Sequence, residues 1–539
     1  MSKLNLMKKV RPNILLSISK LRALMPKLKL DENTTELIKY LAVSFGILMF
    51  ILIVFAIFEK PIPVETKIVV PVRMPSRELR GVWMSRFDYT QSLGTTDPVV
   101  IQKFIKSKFT HIKNANCNSI FFQVRGTADA FYHSNYEPWS EMLTGTLGEN
   151  PGWDPLQYAI DTAHELDLEL HAWINTFTAW RGKSKPGKST PPHPLDIHPD
   201  WLICDQDGNP MELSNHYVSF SPGNPEVHNH IKNVCMDIIS NYDVDGIHFD
   251  YIRYPERTFE NGYSHDPVTE ERFNSPKLNP LRLNWEDWQR EQVTIFLAET
   301  YNALTSIKPW IKVSAAVLGN YNQAGWNGYY KACQDVARWA EIDKIDMIIP
   351  MTYRSRKSGG FQKLIDFWKN IPNINQPIAA GLGAYTLPFS EILDEIQDCR
   401  DNGISGIVLF ASSSLDSIHW DSLAATVFRY PALPPALPWK YENPAPSPDS
   451  CIITSDSLNV VFSWKEPRFL DKGNFVRNYL IYSFSDSIID IGNAASIYSI
   501  IPGTLRQLSV EKESNIIHER VWISIIDAAG NESKLVRFH

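Results

Sequence analysis

Asp250 closes the short run Gly246-Ile247-His248-Phe249-Asp250. A carboxyl group in that place can give or take a proton, the service that cleavage of a glycosidic bond demands. Side chains alternate along a strand, so Gly246, His248 and Asp250 share one face. The apolar Ile247 and Phe249 share the other with Tyr251. The same alternation groups Phe121, Gln123 and Arg125 in a second run, and His171, Trp173 and Asn175 in a third. If these runs are neighbouring strands, Arg125, His171, Asn175, His248 and Asp250 converge on one mouth. Asp250 is then the catalytic candidate. Asn175 suits a sugar hydroxyl or the orientation of a carboxylate, Trp173 offers a face for a sugar ring, and Arg125 can pair with an acid. His171 and His248 lie deeper. Tyr353 and Arg354, at the end of a further run, can contact a substrate. The blander alternatives are a turn cap for Asp250 and satisfied core imidazoles for the two histidines.

Hydrolysis of a glycoside usually employs a second carboxyl group. The later runs end without one, which leaves the loop acids Asp88, Asp129, Glu137, Glu141 and Glu256. Asp129 and Glu137 are preferred, because the stretch ADAFYHSNYEPWS sets aromatic residues around them.

Eight apolar runs can carry such residues: 79–85, 119–125, 168–176, 246–254, 312–319, 346–353, 377–385 and 406–413. Helical patterns lie between them, near 98–115, 155–166, 225–241, 285–307, 331–341, 361–369 and 389–402. Strands separated by helices imply a parallel sheet, and eight such units imply an α/β fold of the (β/α)8 TIM-barrel class. An open doubly wound sheet is the alternative. No GxGxxG follows the first run, so nothing points to a dinucleotide. Long insertions follow the third run (about 177–222) and the fourth (about 255–283). In a barrel these belong to the face where active sites are built.

The barrel is assigned to residues 77–430, a stiff linker with seven prolines to 431–448, and a small β-sandwich to 449–539. At the other end, Tyr40 to Phe58 run for 19 residues without a charge. That length nearly spans a hydrocarbon layer of about 30 Å. Residues 1–39 carry nine Lys/Arg against three Asp/Glu, so this segment is +6 and the remainder −13 of a total of −7. The positive flank stays cytoplasmic. The expectation is a single-pass signal anchor at 40–58, a linker at 59–76 and an extracytoplasmic body. An acidic body argues against nucleic acid as partner. The six cysteines form no CxxC pair, and no tight His/Asp set has metal-ligand spacing, so neither a metal nor another cofactor is expected.

The chain resembles the glycosyl-hydrolase-like family 10 proteins, (β/α)8 proteins of bacterial envelopes. The resemblance rests on RELRGVWMS (77–85), QVRGTADAFYHSNYEPWSEMLTG (123–145), GWDPLQYAIDTAHELDLELHAWIN (152–175), SPGNPEVHNHI (221–231), NYDVDGIHFDYIRYP (241–255), IDMIIPMTY (345–353) and GISGIVLFASSSL (403–415). It implies an anchored glycosidase with Asp250 as the main catalytic residue. Some relatives are similar to enzymes that cut peptidoglycan glycan strands. The chain departs from the pattern in three places: Tyr251 stands where many relatives have a second Asp, Ile174-Asn175-Thr176-Phe177 follows Trp173 where many have Asn-Pro-Tyr-Arg, and Met351 and Arg354 stand where the strand-six motif often has Gln and Trp. The last two lie at the mouth, where substrate is chosen. A short ending, an aromatic strand running into D-x-x-G-N-E-S, resembles a fibronectin type III-like module. The reading is a hydrolase of an envelope polysaccharide. The competing reading is a non-catalytic glycan-binding scaffold, and a metal-dependent deacetylase ranks third.

Overall fold

A computed structural model describes residues 73–255, 262–469, 471–484, 488–514, 516 and 520–539. The anchor assigned to 40–58 and the candidate acid Glu256 lie outside these residues. Among the described residues, no helix is long and apolar enough to cross a membrane.

Eight strands close a barrel: β1 (Leu79–Met84), β2 (Ser119–Arg125), β3 (Glu169–Asn175), β4 (Gly246–Asp250), β5 (Lys312–Leu318), β6 (Met347–Met351), β7 (Ala380–Gly383) and β8 (Gly406–Phe410). Each pairs in parallel with the next, and β8 returns to β1. The principal helices are α1 (Pro98–Asn114), α2 (Pro155–Glu165), α3 (Pro225–Asn241), α4 (Trp285–Ile307), α5 (Val336–Glu341), α6 (Gly360–Lys369), α7 (Phe389–Asp401) and α8 (Ser417–Ala425). They cover the barrel in the order the alternation predicted.

Local chemistry starts these helices. α1, α2 and α3 each begin with Asp or Asn as cap and Pro directly after it: Asp97-Pro98, Asp154-Pro155 and Asn224-Pro225. In each, the cap side chain accepts a backbone N–H of the first turn. The proline fixes a helical φ and contributes no orphan donor. Strand ends differ from expectation at β4, which stops at Asp250 rather than running to 254. Tyr251 adopts φ +51°, outside the extended region, so alternation fails from that residue on.

Two layers fill the barrel. Outward-facing Ile, Val, Leu and Phe pack against the helices. Inside, Leu79, Trp83, Phe121, Trp173, Met347, Ile349 and Val408 form a narrower core. Gly246 is required there: a Cβ would sit 2.2 Å from His171 Nδ1.

Residues beyond 448 build a three-stranded sheet (Asp449–Ser455, Asn459–Lys465, Gln507–Glu511) and a four-stranded one (Ile497–Pro502, Val476–Phe484, Arg520–Asp527, Val536–Arg537). All their pairings are antiparallel. The four-stranded sheet docks on the end of the barrel away from the mouth. Arg477 Nη1 donates to Asp245 Oδ1 at 2.5 Å, and Asn478 Nδ2 to Asp167 Oδ1 at 2.8 Å. Arg77, just before β1, donates to Gly530 O and Glu532 Oε2 in the terminal turn. The proline-rich segment between barrel and sheets packs on the barrel rather than standing free of it. Leu433 and Leu437 are buried, and Lys440 Nζ lies 2.6 Å from the fully buried Asp346. It is a strap across the barrel base, because its apolar residues find a surface to cover. All six cysteines are free and buried.

Burial would raise Glu169, but Lys312 and Arg477 pull it below its ordinary range, and Arg477 and His164 likewise hold Asp245 down. Both acids therefore stabilise the fold above the unfolded carboxylate range, and that stability fades as pH falls through their folded values. Arg477→Met leaves two buried carboxylates short of a cation. It should lower the unfolding free energy by about 3 kcal/mol at neutral pH. Chemical denaturation checks this, and the deficit against the parent should shrink below about pH 4.

Candidate active site

Asp250 ends β4 and lines a cavity of about 510 Å³ at the mouth of the barrel. Its Oδ1 accepts the Tyr251 N–H at 2.6 Å and faces Arg253 Nη1 at 3.3 Å. Its Oδ2 has no hydrogen-bond partner among the described residues. Burial pushes the Asp250 carboxyl above its ordinary range, and Arg253 and the Tyr251 N–H only partly oppose it. A carboxyl held this way keeps a proton closer to neutral pH, as an acid catalyst needs.

Asn175 ends β3 directly beside it, in register with Asp250. Asn175 Oδ1 accepts two N–H groups, from Gln123 Nε2 and Trp173 Nε1, each at 3.0 Å. Only the carbonyl side of the amide can do so, so the NH2 is left for the cavity. Gln123 Oε1 is occupied by the Arg86 N–H. Aromatic rings make the walls: Trp83, Phe87, Trp173, Tyr217, Trp326, Tyr353, Tyr385 and Phe410. Tyr353 stacks on Phe410 at 5.7 Å and meets Tyr385 edge-on. Its hydroxyl is pushed up by burial first and then by the nearby Asp250. Arg354 lines the same cavity and is exposed. Asp250, Trp173 and Asn175, grouped inward by the alternation, line one cavity, and Tyr353 and Arg354 from the end of β6 line it with them.

Four other expectations are corrected. Arg125 is fully buried and turned away from the cavity. Its Nε and Nη2 grip Glu137 at 2.8 Å, and its Nη1 donates to the carbonyls of Asn175 and Thr176. Glu137 is equally buried and also accepts from His230 Nε2 at 2.9 Å. Burial alone would raise Glu137, but Arg125 and His230 bring it down to about 2. A carboxylate so held is committed to its ion pair, and it does not line the Asp250 cavity. His171 and His248 also miss the cavity. His248 Nε2 accepts the Trp83 indole N–H at 2.9 Å, so Nδ1 carries the proton toward Ser314 Oγ at 2.9 Å. Burial keeps His248 neutral, well below its ordinary value. His171 Nε2 pairs with Glu169 below it. Both histidines lie beneath the cavity, in the packed interior of the barrel.

Asp129 lies in an adjoining cleft with Arg86, Phe87 and Thr127, not in the Asp250 cavity. Burial would raise it, but Arg86 and the Thr127 N–H hold it low. Asp88 is sealed by Ser85 and Ser412, and Glu141 lines the same cleft as Asp129. Among the described residues, Asp250 is the one carboxylate in its cavity, and no group of His, Cys, Asp and Glu is placed to hold a metal.

Arg253, Trp83, Phe87 and Tyr217 were not singled out from the sequence. Trp83 could have been: in Arg80-Gly81-Val82-Trp83 the inward face of β1 alternates as in the other strands. Arg253 could not, because the chain leaves the strand at Tyr251. Glu137→Gln strands the buried Arg125 cation. It should cost about 3 kcal/mol of stability, read by denaturation, while the Asp250 cavity of the remaining folded protein stays intact.

The sequence profile of the family described as Glycosyl hydrolase-like 10 matches residues 78–395. Glycosyl hydrolase YngK of Bacillus subtilis is 27% identical over 437 residues, covering 75% of this chain and 82% of that protein. Glycosyl hydrolase DigH of Escherichia coli K12 is 27% identical over 339 residues, 57% of this chain and 73% of that protein. Among solved structures, the PgaB glycoside hydrolase domain of Bordetella bronchiseptica aligns at 11% identity with a TM-score of 0.45, over 65% of this chain and 98% of that one. With more than half its length matched by the profile, this chain belongs to the glycosyl hydrolase-like 10 family.

Proposed function

We propose that this chain is a membrane-anchored glycoside hydrolase of an envelope polysaccharide, with peptidoglycan glycan strands as the first substrate to test. One observation carries the reading: Asp250, its carboxyl raised by burial, faces an aromatic-lined cavity at the C-terminal face of a family barrel. Asp250 serves as the acid that protonates the leaving glycosidic oxygen. Asn175 offers its NH2 to a sugar hydroxyl, and Trp173 and Tyr353 offer ring faces. Residues 40–58 anchor the chain with residues 1–39 in the cytoplasm, and the C-terminal sheets act as a fibronectin type III-like module bracing the barrel base. What favours a glycan-binding protein instead is the single carboxylate that the described residues bring to the cavity.

The test incubates the full chain with purified peptidoglycan, peptide-free glycan strands and neutral polysaccharides, and identifies products by mass. Asp250→Asn should lower the rate at least about 100-fold. Saturable binding without new reducing ends would support the scaffold reading. Rate against pH gives a second check. An acid must be protonated, so activity should fall as pH rises through the Asp250 value. Arg253 holds that value down, so Arg253→Gln should move the falling limb to higher pH. An unmoved limb would remove Asp250 from the role of titrating acid.

A further inference from the structure

A second cavity, of about 630 Å³, opens beside the first and shares Tyr217, Tyr251 and Arg253 with it. Arg181 and His216 line it as well. Arg181 is exposed, and its guanidinium lies over Phe87 at 5.6 Å and over Tyr217 at 5.9 Å. One of its donors, Nε, goes to the Asn215 carbonyl. No ion pair engages it among the described residues, whereas Arg253 and Arg86 each face an aspartate. A guanidinium braced on aromatic faces with free donors in its plane matches a carboxylate fork.

The loop that carries Arg181 points the same way. Residues 177–195 contain Arg181, Lys183, Lys185 and Lys188 and no Asp or Glu. All four cations are exposed. This patch sits on a body whose charge is −13 beyond residue 39. A local positive rim on an acidic protein attracts an anionic ligand to that one place. Arg354 adds an exposed cation to the lining of the Asp250 cavity.

We propose that the cavity beside Asp250 is a subsite for a sugar that carries a free carboxylate, and that Arg181 reads that carboxylate. The inference rests on the glycan-active reading above and names its substrate class: an anionic glycan rather than a neutral one. The basic loop gathers the strand electrostatically, and Arg181 sets its register against Asp250.

The test measures binding to the full chain carrying Asp250→Asn, so that a failure of catalysis leaves it intact. Two probes separate the sources of carboxylate: peptide-free glycan strands, whose carboxylates hang from the sugars, and a polyuronate, whose carboxylates belong to the rings. Each is used native and after carbodiimide amidation. At least one native probe should bind about tenfold more tightly than its amidated form, the scale of one charge-assisted pair. Arg181→Gln should erase that gap and leave the amidated affinity unchanged. Arg181→Lys, which keeps the charge without the fork, should restore part of it. Equal binding of native and amidated probes would overturn the proposal, as would a tenfold gap that survives in Arg181→Gln. Cleavage of neutral polysaccharides alone by the parent chain would overturn it while sustaining the hydrolase reading.

Discussion

Arg125 is a cation with no exposure to water, and the site is arranged around that fact. An unpaired charge at such depth would cost several kcal/mol, so partners must be brought to it. Glu137 comes from the loop after β2, itself held by His230 of α3, and the carbonyls of Asn175 and Thr176 come from the end of β3. The residue after β3 is then tied to β4, because Thr176 N and Oγ1 both donate to the Asp250 carbonyl. The arginine does not line the cavity, yet it ties down the end of β3, and the ends of β3 and β4 carry Asn175 and Asp250.

A column of polar side chains along the barrel axis supplies the floor. Trp83 donates to His248, which donates to Ser314; Phe121 lies against both His248 and His171; His171 meets Glu169. At the bottom, Lys312 and Arg477 neutralise Glu169, and Arg477 also satisfies Asp245. The C-terminal module therefore does more than cap an end. It provides the cation that lets two buried acids stay ionised under the barrel. The strap that joins the module to α8 adds the buried Lys440–Asp346 pair.

Much of the architecture was legible in the residues. Apolar runs with period two, helices opened by Asx-Pro pairs, and long insertions after β3 and β4 point to the barrel and its active face. The same alternation places Asp250, Asn175 and Trp173 inward. It failed where depth matters. His171, His248 and Arg125 share the inward face with the cavity residues, but they lie below its surface or turn sideways from it. Alternation reports which side of a strand a residue occupies, not whether water can reach it. Glu137 failed for a related reason: aromatic neighbours in sequence suggested a substrate wall, whereas its partner Arg125 lies 12 residues away and consumes its charge.

Sequence by itself determined the alternation of strands with helices and the carboxylate at the end of β4, because these follow from short-range periodicity and from residue type; closure of the strands into a barrel rather than an open sheet came from tertiary structure. Tertiary structure alone decided which charges are spent and which remain free. Glu137, Asp129 and Asp250 are alike as residues. They differ because one is clasped by Arg125, one is held by Arg86, and one is buried with only a partial counter-charge from Arg253. The free energy of a carboxyl group depends on solvent and charge within a few ångströms, and that neighbourhood is assembled from segments far apart in the chain.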